Sequence, residues 1–269
     1  MSTFNPTTST KLAKTLSSLH VPGSPVLFTN IWDPPSANTA LSFPSTKALA
    51  TASFAIAHSL GIEDDDLTLS DNLSRISLIR STLIKSGKAD SIPFSADLQD
   101  GYGDQLVEAI EKAVELGVVG CNLEDTLRSP IGTPGKLIPA EEQGERIKLA
   151  IKTAKDKGVE GFVVNARTDV VKLGGSVEEA IERGKIYLEA GATTVFVWGY
   201  VRGLRDAEVK QLVEALGGKV SVIHMNLDGF LSVKEIGELG VARISMGPLI
   251  WKKGVAAVKE AMRKAIEGV

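Results

Sequence analysis

Eight short apolar, β-branched runs recur along the chain, separated by longer amphipathic stretches, and this alternation restricts the fold more than any other feature. The runs fall at residues 26–30, 48–53, 92–98, 118–124, 161–167, 194–199, 220–226 and 242–247. Most are apolar nearly throughout instead of alternating, the pattern of strands covered on both faces in a parallel sheet. Strand–helix units repeated eight times imply an α/β fold, a (β/α)8 TIM-type barrel, with residues 1–269 forming a single domain. Residues 1–22 read as a lead-in, with a weaker helix at 10–19. No linker, charge block or low-complexity boundary interrupts the series, which favours a closed barrel over the alternative, an open doubly wound sheet.

The intervening stretches carry helix start and stop signals. Asp104 is placed to cap a helix over 105–116, with Gly117 as its stop. Ser176 with Glu179, and Ser232 with Glu235, have capping-box spacing. Residues 251–268 read as a closing amphipathic helix.

Composition narrows the partners. The 269 residues include 30 basic and 33 acidic side chains, a formal net charge of −3 with no basic stripe, so nucleic acid is not an expected partner. No run approaches the roughly 20 apolar residues of a membrane helix, so no membrane partner is expected either. The single cysteine, Cys121, excludes an intrachain disulfide and suits a reducing compartment, giving a cytoplasmic expectation.

In a barrel of this kind the chemistry sits where strands end. The first run ends in Asn30-Ile31-Trp32-Asp33 and the second in Thr51-Ala52-Ser53. The third ends in Asp97-Leu98-Gln99-Asp100-Gly101-Tyr102-Gly103, the fourth in Asn122-Leu123-Glu124-Asp125, and the fifth in Asn165-Ala166-Arg167-Thr168-Asp169. Carboxylates, amides and one arginine thus converge on one rim. Such oxygen ligands suit Mg²⁺ or Mn²⁺, and like charges gathered there are costly without a cation or ionic ligand. The three histidines, His20, His58 and His224, are too scattered for a zinc site. Plainer roles exist for several of these residues. Asp33 before Pro34-Pro35 equally suits a helix cap, Asp100-Gly101 a turn, Arg167 with Glu124 an architectural pair, and Cys121 a small core residue.

On these residues the chain resembles the isocitrate lyase and phosphoenolpyruvate mutase superfamily. Asn30-Ile31-Trp32-Asp33 is similar to that family's Asn-Ala-Trp-Asp, and Ser59-Leu60-Gly61 with Asp64 to its second-strand loop. Residues 97–103 resemble its Asp-x-Asp/Glu-x-Gly-Tyr-Gly element, and Gly120-Cys121-Asn122-Leu123-Glu124-Asp125 its Gly-x-Asn-Leu-Glu-Asp. Asn165-Ala166-Arg167-Thr168-Asp169 and Ala242-Arg243-Ile244-Ser245-Met246-Gly247-Pro248 resemble its fifth- and eighth-strand signatures. The resemblance implies a swapped C-terminal helix and a homo-oligomer, dimer or tetramer. It implies Mg²⁺ (or Mn²⁺) at Asp97, Gln99 and Glu124, with Asp64, Arg167 and Glu124 in catalytic roles. A small-molecule carboxylate substrate would meet Trp32, Asp33, Asn122, Arg128, Asn165 and Trp198, and backbone groups near Ala52 and Ser53.

The departures matter. The lyases carry a cysteine-containing loop after strand 4, whereas residues 126–136 here contain neither cysteine nor histidine. Trp198 stands where the mutase has histidine, and Gln99 replaces the second carboxylate of strand 3. The leading expectation is a Mg²⁺-dependent lyase or hydrolase of a small α-oxo or α-hydroxy carboxylate, breaking a C–C or P–C bond through an enolate. A carboxylate-binding pseudoenzyme and an aldolase-type enolate enzyme are the alternatives. The loop between Thr126 and Pro139 reads as a specificity lid or a plain surface loop, with Arg128 and Lys136 the cations able to meet a second substrate anion.

Overall fold

A computed structural model of the protein describes residues 4–127, 135–225 and 230–268. Eight parallel strands form one sheet: β1 Val26–Phe28, β2 Leu49–Ala50, β3 Phe94–Asp97, β4 Gly120–Glu124, β5 Val163–Thr168, β6 Thr194–Val197, β7 Val220–Ile223 and β8 Arg243–Ser245. Their order is β1-β8-β7-β6-β5-β4-β3-β2. The two ends meet through a parallel bridge between Ile31 and Thr51, where Ile31 N–H donates to the Ala50 carbonyl at 2.9 Å and Ala52 N–H to the Ile31 carbonyl at 3.2 Å. Asn30 fastens this seam. Its amide nitrogen donates to the Thr51 carbonyl, and its side-chain oxygen accepts the backbone N–H groups of Met246 and Gly247. The strand–helix alternation therefore closes into the expected barrel, with each strand trimmed relative to its apolar run.

Among the described residues ten helices accompany the strands: α1 Pro6–Ser18, α2 Pro34–Leu41, α3 Ser53–Ser59, α4 Leu69–Lys85, α5 Leu106–Glu115, α6 Ala140–Asp156, α7 Val177–Glu189, α8 Asp206–Ala215, α9 Val233–Glu238 and α10 Leu249–Glu267. Helix α1 plugs the base of the barrel with Leu12, Ala13 and Leu16, all buried. Room for this plug comes from Gly120, where an added Cβ would lie 2.8 Å from the Val163 carbonyl oxygen and 2.9 Å from Leu16 Cδ2.

The caps divide into those the spacing foretold and one it did not. Ser232 and Glu235 make a complete capping box at α9, and Ser176 accepts the Glu179 N–H at α7. Asp104 caps nothing: it lies inside a 3-10 turn, Gly103–Gln105, and α5 starts one residue later than expected. Tyr102, the residue before that turn, has a left-handed backbone (φ 61°).

Helix α10 contains no buried residue in the isolated chain. Val255, Val258, Met262 and Ile266 form one exposed apolar stripe at helical spacing. Pro25, Leu27, Phe43 and Ile250 meanwhile line an open groove beside α2. None of the described helices is long and apolar enough to cross a membrane.

Candidate active site

Alternation along β3, β4 and β5 sends Asp97, Asn122 and Glu124, and Asn165 and Arg167 to one face, the barrel interior, and Gln99 follows in the turn after β3. Register then aligns them: Asp97 sits opposite Asn122, Asn122 opposite Asn165, and Glu124 opposite Arg167. The expected rim residues from strands 3, 4 and 5 are therefore brought together.

Asp97 is buried and firmly placed. Its backbone N–H donates to Thr51 Oγ1 at 2.8 Å, its Oδ2 accepts the Ser53 N–H at 3.0 Å, and Asn72 donates to its carbonyl oxygen at 2.9 Å. Its other carboxylate oxygen, Oδ1, is buried with no hydrogen-bond partner among the described residues. Gln99 repeats the pattern. Its Nε2 donates to the Asp64 carbonyl at 2.7 Å and to Asp64 Oδ1 at 3.0 Å, leaving Oε1 buried and unpartnered. Each of these orphaned acceptors, one at the end of β3 and one in the turn after it, is open to a donor or a cation.

The backbone at this point is strained. Gln99 has φ 51° and Tyr102 φ 61°, with Gly101 and Gly103 also positive. Non-glycine residues hold such angles at a cost of order 1–3 kcal/mol each, and such strain clusters at functional sites. Asp100 supports the turn, its Oδ1 accepting the Tyr102 N–H at 3.0 Å while Arg146 donates to its carbonyl oxygen.

Acids crowd the rim. Burial, and then the neighbouring charge of Asp97, push the Asp64 carboxyl up to about 6. Burial likewise holds Glu124 above the usual carboxylate range, with Arg167 pulling against it and Asp169, Asp97 and Asp64 adding to it. Arg167 donates from Nη1 to Glu124 Oε1 at 2.7 Å, and from Nε and Nη2 to the two Asp169 oxygens at 2.7 and 3.0 Å. Burial works against the guanidinium charge, but Asp169 and Glu124 outweigh it and keep Arg167 protonated. Its flat face lies 3.8 Å from the centroid of the Trp198 ring. Lys172 donates to Asp169 Oδ2 at 2.9 Å.

Other expected contacts fall differently. Asp33 is the N-cap of α2, with its Oδ1 accepting the Ser36 N–H at 2.8 Å in a capping box, and it lies with Trp32 on the outer groove. The backbone donors foreseen for substrate oxygens are already engaged: Ala52 N–H by the Ile31 carbonyl and Ser53 N–H by Asp97. Arg128, Gly132 and Pro134 lie outside the described residues. The loop's two ends pair as an antiparallel hairpin, Thr126–Leu127 with Lys136–Leu137, and Lys136 is exposed. Cys121 is buried, and burial pushes its thiol up to about 12, as befits a core residue.

Two supports escaped the sequence reading. Asp169 holds Arg167 from two positions along the same strand direction, a relationship readable from the Arg-x-Asp spacing. Gln143, on α6, donates to the Glu124 carbonyl at 3.0 Å, and nothing local in the sequence announces it.

Among the described residues no group of three or more His, Cys, Asp or Glu side chains is gathered closely enough to hold a metal alone. Mg²⁺ asks for less, being held by one or two carboxylates with water and substrate oxygens completing its shell. The free oxygens of Asp97 and Gln99, with Glu124 nearby, fit that hard-cation demand.

Over residues 16–266 the chain matches the family described as phosphoenolpyruvate phosphomutase. It is 29% identical over 253 residues to an uncharacterised protein of Mycobacterium tuberculosis, covering 93% of this chain and 88% of the relative. It is 31% identical over 147 residues to 2-methylisocitrate lyase of Escherichia coli, covering 52% of this chain and 46% of the relative. Among solved structures, a crystal structure of 2,3-dimethylmalate lyase superposes with a TM-score of 0.79 at 25% identity, covering 97% of this chain and 86% of that one.

Proposed function

Because the chain belongs to the phosphoenolpyruvate phosphomutase family, we propose that it is a Mg²⁺-dependent (or Mn²⁺-dependent) lyase or hydrolase of a small α-oxo or α-hydroxy carboxylate, cleaving a C–C or P–C bond. The observation that carries this reading is the pair of buried, unpartnered oxygens on Asp97 and Gln99. Asp97, Gln99 and Glu124 are the residues that would hold the ion. A bound Mg²⁺ would supply Lewis-acid stabilisation of negative charge developing on a substrate oxygen.

The chain's own residues supply the rest. Arg167 still has N–H groups beyond the three it gives to Glu124 and Asp169, enough to receive a substrate carboxylate, and stacking on Trp198 fixes its plane. Asp64, with its carboxyl near 6, is matched to taking up or releasing a proton near neutral pH. Asn122 and Asn165 line the interior beneath them.

A titration of oxalate, with and without Mg²⁺, followed by a turnover screen over oxo, hydroxy and phosphono acids tests this. Mg²⁺-dependent oxalate binding and turnover of one acid are expected. No binding at millimolar oxalate, with Glu124→Ala behaving as wild type, would overturn it. The pairing of Gln99 with Asp64, which leaves the site one carboxylate short of the superfamily pattern, favours a second reading, a carboxylate-binding pseudoenzyme. That reading expects binding without turnover.

The uncovered stripe of α10 and the groove beside α2 support exchange of α10 between two copies of the chain. Light scattering should report a dimer or tetramer, and Met262→Asp a smaller species.

A further inference from the structure

Arg243, 1% exposed, is the largest of the fully buried side chains among the described residues, and nothing in the proposed reaction uses it. It comes from β8, and Val26 and Ser221 are its register partners on the flanking strands. No carboxylate is within hydrogen-bonding distance of it among the described residues. Its Nη2 donates to Asn122 Oδ1 at 3.2 Å, its Nε to Ser245 Oγ at 3.3 Å, and its guanidinium carbon lies 4.3 Å from the Phe28 ring centroid. Its hydrogen bonds go only to neutral groups, its Nη1 has no partner among the described residues, and the charge of Asp97 only partly offsets the cost of burial, so its presence calls for a reason.

The reason lies in hydrogen-bond polarity. Arginine can only donate, so the atom of Asn122 that faces Arg243 must be the oxygen. That same oxygen accepts Asn165 Nδ2 at 2.7 Å, and Asn165 must then turn its own oxygen toward Thr194 Oγ1, which donates to it at 2.6 Å. The orientation of two amides is thereby set from one end of the chain. The Asn122 amide nitrogen is left without an acceptor among the described residues, on a partly exposed side chain between Asp97 and Asn165 and one inward step below Glu124.

We infer that Arg243 is a positioning residue: it locks the Asn122 amide so that its N–H₂ group is presented as a donor to an anionic ligand oxygen in the site. The inference rests on the carboxylate-binding reading above. Without Arg243 the amide is free to flip and offer an oxygen, which would repel the same ligand.

Oxalate affinity in the presence of Mg²⁺, and melting temperature, test this in wild type, Arg243→Lys, Arg243→Gln and Asn122→Asp. Arg243→Gln, able both to donate and to accept, should bind oxalate about tenfold more weakly, the scale of one hydrogen bond to a charged ligand. Arg243→Lys, again donor-only, should restore most of the affinity. Asn122→Asp should lose oxalate binding yet melt higher, because its carboxylate meets Arg243. Equal oxalate affinity in Arg243→Gln and wild type, or Arg243→Lys as weak as Arg243→Gln, would overturn the assignment. Wild type that binds no oxalate overturns the proposed function instead, and the Arg243 assignment is then decided by Asn122→Asp, whose melting below wild type would reject it.

Discussion

Gln99 donates twice to Asp64, through one nitrogen to the carbonyl and the carboxylate of the same residue. The amide thereby joins the strand-3 turn to the 3-10 turn that carries Asp64, and it does so where a carboxylate would repel. Substituting Gln99→Glu sets two acids about 3 Å apart, so each favours the protonated form unless a cation intervenes. The variant is expected to bind Mn²⁺ roughly tenfold to a hundredfold more tightly at pH 8, the range that one added charge gives after screening. It should also be less stable without metal. Unchanged Mn²⁺ affinity by calorimetry or electron paramagnetic resonance would place the ion elsewhere.

Asp64 gives a pH signature. Its carboxyl, held near 6 by burial and by Asp97, lies above its ordinary value of 3.8. The folded protein therefore binds a proton that the unfolded chain has released between those values, and stability from this group falls as pH rises through that window. The penalty is complete above pH 6. Asp64→Asn removes it, so the metal-free variant is expected to be more stable than wild type at pH 8, by on the order of 1–3 kcal/mol, and no more stable at pH 4. Denaturant titrations at the two pH values measure this. Proton competition should also weaken Mn²⁺ binding to the wild type as pH drops below 6.

These two acids show how far the sequence was legible. Asp97 and Glu124 could be placed because strand ends carry the polar residues of a barrel and alternation fixes their direction. The partner of Gln99 could not, since the contact spans 35 positions and depends on a positive φ that a glutamine does not advertise. Asp33 was readable as a cap from Pro34-Pro35 alone, and it is one. Asp104 has the residue type and spacing of a cap, but the turn before it is held by Arg146 from 43 and 46 positions away, a contact no local pattern announces. Arg243 is one letter of a strand signature, and its contact with Asn122, 121 positions away, is written in no local pattern. The closure of the barrel was implied by counting units, whereas the undocked α10 follows from burial that no local pattern reveals.

Trp198 and Arg167 make a prediction about affinity without metal binding. A guanidinium stacked on an indole gains roughly 0.5–2 kcal/mol and, more usefully, keeps its plane. Trp198→Ala should therefore weaken oxalate binding by about three- to tenfold while leaving Mn²⁺ affinity in the absence of oxalate unchanged. Trp198→Phe should recover part of the loss. If both ligands weaken together, the tryptophan supports the whole rim and not Arg167 in particular.

Gly120 is the point where the fold has least tolerance. An added methyl group would meet the Val163 carbonyl oxygen at 2.8 Å, Leu16 Cδ2 at 2.9 Å and Val163 Cβ at 2.9 Å, so backbone on one side and the α1 plug on the other must move. The Val163 oxygen belongs to β5 and cannot retreat without disturbing the ladder that sets Glu124 opposite Arg167. Leu16 can rotate only into the packed base of the barrel. Overpacking of this kind costs about 1–3 kcal/mol. Gly120→Ala is expected to lower the melting temperature by several degrees and to weaken oxalate binding as well, because strain entering β4 at its base reaches Glu124 four residues on. Pairing it with Leu16→Ala should recover part of the stability by opening space on the plug side. A Gly120→Ala variant as stable as wild type would show that neither β5 nor α1 packs this closely on β4.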